Sequence, residues 1–347
     1  MLSIYKKEIT ENLCLNYCNG IESEGIKGMV EWIEKRVVKY LSDDNIADRQ
    51  DLQSIKDLLT NEKIFEILSS EPENLITIWT TDFEDFKDTQ LTYTYLNNHV
   101  SKQKTVKILY HIFNYDSFRD CKDIKQFRGY LLAEKLGIDC CPYCNRNYTT
   151  THTQDYIFIN GSNKEVFPSF DHFYPKGLYP ILATSFYNLI PSCNICNSDY
   201  KGEKDTNDDQ YRIFHPYTKI DNNHFSFEFL PKDYESLVGK AKNIDLKIVC
   251  YNNDVKENFD KSILFFGVKE NYQNNHLELI EDIIDKKVTF SNKYLAELKS
   301  VFGLNFNETY KILFETHYEE DKLHKRPFSK LKKDIFDDIN INKIENT

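Results

Sequence analysis

Two Cys-x-x-Cys pairs lie in the middle of the chain, separated by a long stretch of sequence. Cys141 and Cys144 form the first pair, and Cys193 and Cys196 form the second. The tight turn within such a pair points both thiolates at one ion, and four thiolates suit tetrahedral zinc. The pattern predicts a structural zinc site with these four ligands, in which the neighbouring Cys140 could replace Cys141.

The first pair also permits a redox interpretation. Cys141-Pro142-Tyr143-Cys144 is similar to the motif of glutaredoxins, whose first cysteine is a nucleophile with a lowered pKa. That fold places the motif early, after a first β-strand. Here the motif follows a predicted helix and has a second Cys-x-x-Cys partner, so zinc is the favoured interpretation.

Polar residues between the two pairs could hydrolyse a phosphodiester. His172 would be the general base, because an imidazole near its ordinary pKa accepts a proton from water at neutral pH. Asp171 and Asn197 would be oxygen ligands for Mg²⁺ or Mn²⁺, and Asn197 directly follows the last zinc cysteine. The sequence therefore predicts a structural metal that fixes part of a catalytic one.

Four further residues complete the candidate site. Asn188 would brace the loop before the second cysteine pair through hydrogen bonds to the backbone. Lys176, Lys201 and Lys204 are candidate phosphate contacts, although each could equally be a solvated surface lysine.

The surrounding pattern predicts an α+β chain in three regions. Residues 1–137 have apolar residues at helical spacing, including a helix from Lys122 to Leu136 that Gly137 would end. Residues 138–210 carry β-branched and aromatic segments, with a hairpin signal at Asn160-Gly161 and a strand that delivers Asp171 and His172. Residues 211–347 have two candidate strands, 225–229 and 245–250, and are otherwise mainly helical.

Composition limits the function classes. The 347-residue chain has a net charge of −11, which disfavours an autonomous binder of nucleic acid. Acidic and basic residues are equal in number from Cys141 to Lys204, so the candidate site is neutral within an acidic chain. No apolar run is long enough to span a bilayer and no leader follows Met1, so a cytoplasmic protein without membrane contact is expected.

A basic cluster near the C-terminus has two interpretations. It is either the solvated face of a helix or a patch that contacts phosphate or a partner. The cluster comprises Lys322, Lys325, Arg326, Lys330, Lys332 and Lys333.

The central motifs together resemble the HNH endonucleases. The matching strings are Cys-Pro-Tyr-Cys, Asp-His-x-x-Pro, Asn-Leu and Cys-x-x-Cys-Asn, all within residues 138–205. The resemblance implies a small zinc-stapled ββα-metal core embedded in a mainly helical chain. It also implies a metal-dependent nuclease with His172 as base, Asp171 and Asn197 on the catalytic metal, and Asn188 as the middle signature residue. The last signature position is Asn197 rather than histidine, and asparagine is a common alternative there in the family.

Longer strings narrow the resemblance. Phe170-Asp171-His172-Phe173-Tyr174-Pro175-Lys176 and the segment from Ser185 to Cys193 look like stand-alone bacterial HNH proteins that occur beside ATPases in anti-phage systems of the Septu and retron-associated kind. This implies a nucleic acid substrate, DNA more than RNA, and an ATPase partner for the helical flanks. The alternatives are a nuclease that acts on RNA and a zinc-organised scaffold without catalysis, for which an intact Asp171, His172 and Asn197 would have no use.

Overall fold

The computed structural model is a mixed α+β protein, mostly helical with small antiparallel sheets. It describes residues 1–46, 49–86, 101–155, 163–237, 243–290 and 292–341. The chain divides into two compact units, each built from separated segments. The first unit comprises Tyr5–Gly137 and Thr150–Thr218, and the second comprises Met1–Ile4, Ile138–Thr149 and Lys219–Thr347.

The first unit begins with helices, as the apolar periodicity predicted. In the helix Met29–Tyr40, for example, Met29, Ile33 and Val37 recur at helical spacing and are all buried. The predicted helix before Gly137 begins at Gly129 rather than Lys122, and Gly137 ends it in the left-handed conformation (φ 59°). The helices are α1 Lys7–Asn19, α2 Met29–Tyr40, α3 Asp43–Ile46, α4 Gln50–Leu58, α5 Asn61–Ser69, α6 Leu75–Asp82, α7 Ser101–Ile112, α8 Tyr115–Arg119 and α9 Gly129–Leu136.

Three short antiparallel ladders complete the strands of the first unit. They pair β1 Gly20–Ile21 with β2 Ile26–Lys27, β3 His152–Asp155 with β4 Asn163–Val166, and β5 Ser169–His172 with β6 Leu189–Ser192. The predicted turn at Asn160-Gly161 lies outside the described residues.

The ladder of β5 and β6 positions the candidate site. Asp171 pairs with Ile190 and His172 pairs with Leu189, so both polar residues stand at the end of β5. A loop with two 3₁₀ turns, Pro180–Thr184 and Phe186–Asn188, connects the strands. A π-helix, Ile195–Lys201, follows β6. The local order is therefore strand, loop, strand and helix.

The second unit contains the two strands predicted after residue 211. β7 Phe225–Pro231 and β8 Ile244–Cys250 pair along their whole lengths, and Phe225, Phe227 and Phe229 alternate into the core. Its helices are α10 Tyr234–Leu237, α11 Lys256–Phe265, α12 Val268–Asn275, α13 Leu277–Thr289, α14 Asn292–Phe302, α15 Phe306–Phe314 and α16 Ser329–Ile341.

The C-terminal basic cluster is not a fully solvated helix face, because two of its lysines are buried within the second unit. Its role as a patch that contacts phosphate or a partner stays a prediction. Lys330 and Lys333 are buried, the first against Asp334 and the second against Glu320 and Asp337. Lys325 pairs with Asp139 and Lys322 with Glu319, while Arg326 and Lys332 donate to the carbonyls of Glu315 and Phe314.

Within the part of the chain that the structure describes, no helix has the length and apolar character needed to cross a membrane.

Candidate metal centre and active site

The first cysteine pair sits on a tightly bonded turn. The amide of Asn145 donates to the carbonyl of Cys141 (2.7 Å), and the amide of Cys141 donates to the carbonyl of Asn147 (2.9 Å). Asn145 adopts a left-handed conformation (φ 47°), which asparagine tolerates better than most residues. Its buried side chain donates to the carbonyl of Leu323 and accepts from the amide of Lys330. The turn is thereby fixed in a shape that presents both thiols on one side.

The second cysteine pair joins β6 to the π-helix. Cys193 follows the last residue of β6, and Cys196 lies in the first turn of the helix. The amide of Asn197 donates to the carbonyl of Cys193 (2.9 Å), which closes the turn between the two thiols. Asn197 and Lys201 continue the same helix, so this cysteine pair sets where both of them lie.

The four predicted cysteines converge. The sulphur atoms of Cys141, Cys144, Cys193 and Cys196 all lie within 4.8 Å of one another, and all four residues are buried. Tetrahedral zinc with bonds of about 2.3 Å holds sulphurs about 3.8 Å apart, so the cluster fits such an ion. Cys140 is also buried but does not belong to the cluster. The sequence prediction of a four-cysteine site that could hold a metal such as zinc is therefore confirmed.

Asp171 does not face solvent. Its carboxylate oxygen Oδ1 lies 3.1 Å from Nζ of Lys201, and the two side chains are 2% and 1% exposed. The same ammonium donates to the carbonyl oxygen of His172 at 2.6 Å. The π-helix thus places a cation against the end of β5.

His172 is buried beside this ion pair, with 9% of the residue exposed. Its Nε2 lies 3.0 Å from the carbonyl oxygen of Ala183, and the ring of Tyr115 meets it edge-on with centroids 4.4 Å apart. A carbonyl only accepts, so Nε2 carries the proton and the lone pair of the neutral ring is on Nδ1. Burial, together with the charges of Lys176 and Lys201, lowers the pKa of His172 to about 3, which keeps the ring neutral.

Asn188 closes the loop that follows His172. Its Oδ1 accepts from the amide of Tyr174 (2.7 Å), and its Nδ2 donates to the carbonyls of Tyr174 (3.1 Å) and Leu182 (2.8 Å). Its own carbonyl accepts from the amide of Phe173. The side chain is fully buried, and its three bonds fix the entry and the middle of the loop.

The remaining predicted residues lie nearer the surface. Asn197 is half-buried on the π-helix, four residues before Lys201. Lys176 is half-buried, pairs with Asp116 (3.3 Å), and lies over the ring of Tyr115 at 4.9 Å. Lys204 donates to the carbonyl of Tyr200. The structure therefore gathers Asp171, His172 and Lys201 around the end of β5.

Sequence reasoning did not identify three contributors to this site: the contact of Lys201 with Asp171, the carbonyl of Ala183 and the ring of Tyr115. The sequence carries no motif for the last two, because a backbone carbonyl and an apolar ring edge act through position alone. The chain matches no protein-family model, no curated protein and no solved structure.

Proposed function

We propose that this protein is a metal-dependent endonuclease of the HNH kind, which hydrolyses phosphodiester bonds in nucleic acid, with DNA favoured over RNA. The observation that carries the proposal is the strand–loop–strand–helix order around the site. The Asp171-His172 pair ends the first strand, and Asn188 holds the loop through side-chain hydrogen bonds to its backbone. Asn197 follows the last cysteine on the helix.

His172 is the proposed general base. The bond from Nε2 to the carbonyl of Ala183 orients the ring and leaves Nδ1 as the atom that takes a proton from the attacking water. A pKa of about 3 is lower than a base at neutral pH requires. An approaching phosphodiester brings negative charge, which favours the protonated ring and raises this pKa.

Asp171 and Asn197, the residues assigned to the catalytic metal, are not arranged to bind it. Mg²⁺ and Mn²⁺ prefer carboxylate and amide oxygens, which Asp171 and Asn197 possess. However, Lys201 already pairs with the carboxylate of Asp171 in a site that excludes water. As arranged, these residues do not fit a divalent ion beside Asp171 unless the ammonium moves.

The proposed setting is a bacterial anti-phage system in the cytoplasm, with an ATPase partner that docks on helices outside the site. The support is the resemblance of the central strings and the charge of the chain. A net charge of −11 opposes unaided binding to a phosphate backbone, so a partner that delivers the nuclease would supply what the chain lacks.

The test is a cleavage assay on supercoiled plasmid, linear DNA and RNA, with Mg²⁺ or Mn²⁺, for wild type and His172→Ala. We expect the variant to lose cleavage by at least a hundredfold, because general bases commonly contribute about 10²–10⁴-fold. His152→Ala is the matched control, since it removes an exposed histidine from β3 and should leave cleavage unchanged.

The burial of His172 and the pairing of Asp171 favour a second candidate, a zinc-organised scaffold without catalysis. If the protein is such a scaffold, it should bind a partner or nucleic acid, and neither the wild type nor His172→Ala should cleave any of the substrates. Equal cleavage by wild type and His172→Ala would instead refute the assignment of the base.

A further inference from the structure

Two oxygen atoms at the end of β5 converge on the ammonium of Lys201. They are Oδ1 of Asp171, at 3.1 Å, and the carbonyl oxygen of His172, at 2.6 Å. Carboxylate and backbone carbonyl oxygens are also the ligands that hard divalent cations use in proteins. The ammonium therefore stands where strand β5 presents a binding position for a cation.

Moving the ammonium of Lys201 away from Asp171 requires a large free energy, because the pair is buried. Both side chains of the pair are almost fully excluded from solvent. A buried charge that loses its partner costs several kcal/mol, typically about 3–5, so the ammonium leaves only if another cation replaces it. Two cations cannot share the carboxylate at contact distance without strong repulsion in such a site.

The helix that carries Lys201 has an unusual backbone. Residues Ile195–Lys201 form a π-helix, and its last turn is closed by the amide of Gly202, which donates to the carbonyl of Asn197 (2.7 Å). π-Helical turns often occur at functional sites, where the wider turn re-aims a side chain. Here the turn brings Lys201 over β5, with Asn197 one turn earlier.

We propose that Lys201 is a resident cation which holds the divalent-metal position of Asp171 closed, so that metal binds only when the ammonium is displaced. This proposal rests on the proposed function for the role of the metal, but its central claim concerns binding alone. Lys201 is then a positioning and gating residue, and a partner or substrate that shifts the π-helix would open the site.

The experiment measures binding of Mn²⁺ alone, by the electron paramagnetic resonance signal of the unbound ion, to protein whose cysteine cluster is saturated with Zn²⁺. Lys201→Met removes the ammonium and keeps most of the apolar stem. We expect its Kd for Mn²⁺ to be at least tenfold lower than that of wild type. Lys201→Gln is the second variant, since its amide can still donate to the carbonyl of His172.

Two controls make the result specific. Asp171→Asn/Lys201→Met removes the carboxylate as well, and we expect it to lose the gained affinity. Lys330→Met removes the lysine of a second buried lysine–aspartate pair, where the ammonium faces Asp334 and the ring of Phe225. We expect that variant to bind Mn²⁺ as wild type does.

Equal affinity in wild type and both Lys201 variants would overturn the proposal, and so would a gain that survives in the double variant. If Lys201→Met is unfolded without metal, we expect Mn²⁺ to restore its folding in thermal unfolding scans, and failure to do so also counts against the proposal.

The outcome is separable from that of the cleavage assay. Wild-type cleavage with unchanged Mn²⁺ affinity refutes the gating role and leaves the nuclease standing. Gained affinity with no cleavage by any protein refutes the nuclease and leaves the gating role standing.

Discussion

Two buried lysine–aspartate pairs occur in the described chain, one in each unit, and they differ in what surrounds them. Lys330 and Asp334 are four residues apart on α16, with Nζ and Oδ1 2.6 Å apart. Lys201 and Asp171 come from a helix and a strand, at 3.1 Å. The side chains of both pairs are at most 4% exposed.

The environments of the two carboxylates explain their different roles. The second oxygen of Asp334 accepts from the amide of Phe227 at 2.9 Å, so this aspartate ties α16 to β7. Lys201 instead bonds the backbone of His172, and the pair lies beside a neutral histidine. Two pairs of similar burial and charge thus have different roles. The Lys330–Asp334 pair holds α16 against β7, and the Lys201–Asp171 pair belongs to the candidate active site.

The largest expected effect tests whether the Lys201–Asp171 pair depends on the cysteine cluster while the Lys330–Asp334 pair does not. Cys193→Ser should reduce bound zinc from one equivalent to none, because three thiolates do not complete the tetrahedral four-cysteine site. Because Cys196 and Lys201 share one short helix, we expect the amide of Gly202 to lose its protection from hydrogen exchange. The amide of Phe227, held by Asp334, should lose much less.

Cys140→Ala is the control for that experiment, since Cys140 is buried next to Cys141 but lies outside the cluster. It should retain one equivalent of zinc. Equal loss of protection at Gly202 and Phe227 in Cys193→Ser would show that the two regions do not differ in their dependence on the metal.

A second prediction concerns Lys330→Met. The substitution leaves Asp334 buried without its partner charge, so we expect the free energy of unfolding at neutral pH to fall by about 3–5 kcal/mol. Urea unfolding measures the change. Lys330→Met/Asp334→Asn removes both charges and keeps an oxygen for the amide of Phe227, and it should recover most of the loss. No recovery would mean that the pair acts through something other than charge.

The smallest expected effect is the pH dependence of the stability that Lys330→Met loses. Burial raises the pKa of Asp334 to about 6 in the wild type, and removal of Lys330 raises it further. An acid whose pKa is higher in the folded state loses stability as pH rises towards that pKa. The difference in unfolding free energy between wild type and Lys330→Met should therefore be smaller at pH 5.5 than at pH 7.5, and a constant difference would contradict it.

The sequence predicted the parts of the fold that depend on local pattern. The cysteine spacing identified all four members of the cluster, and the strands β7 and β8 follow their aromatic and β-branched residues. The helix before Gly137 was predicted too long, because the backbone just before Gly129 bonds to Lys27 instead: the amide of Lys27 donates to the carbonyl of Lys125, and the amide of Phe127 donates to the carbonyl of Lys27.

Long-range partners explain what the sequence could not predict. Lys201 matched both a solvated lysine and a phosphate contact, because its partner Asp171 belongs to a strand far earlier in the chain. In the same way, Lys333 is buried against Glu320 from a preceding turn, and the spacing of basic residues on its own helix did not indicate this. Side-chain spacing reveals neighbours on one element, whereas these contacts depend on how separate elements fold together.

The hydrogen bonds of Asn188 restrict which residue can occupy its position. The side chain must accept one bond and donate two within a fully buried loop. Aspartate lacks the donors, glutamine is one methylene too long, and leucine has the volume without the polarity. Few residues are therefore compatible with this position. A distant homologue that keeps the loop should keep asparagine here, even where the sequences of the surrounding helices have diverged beyond recognition.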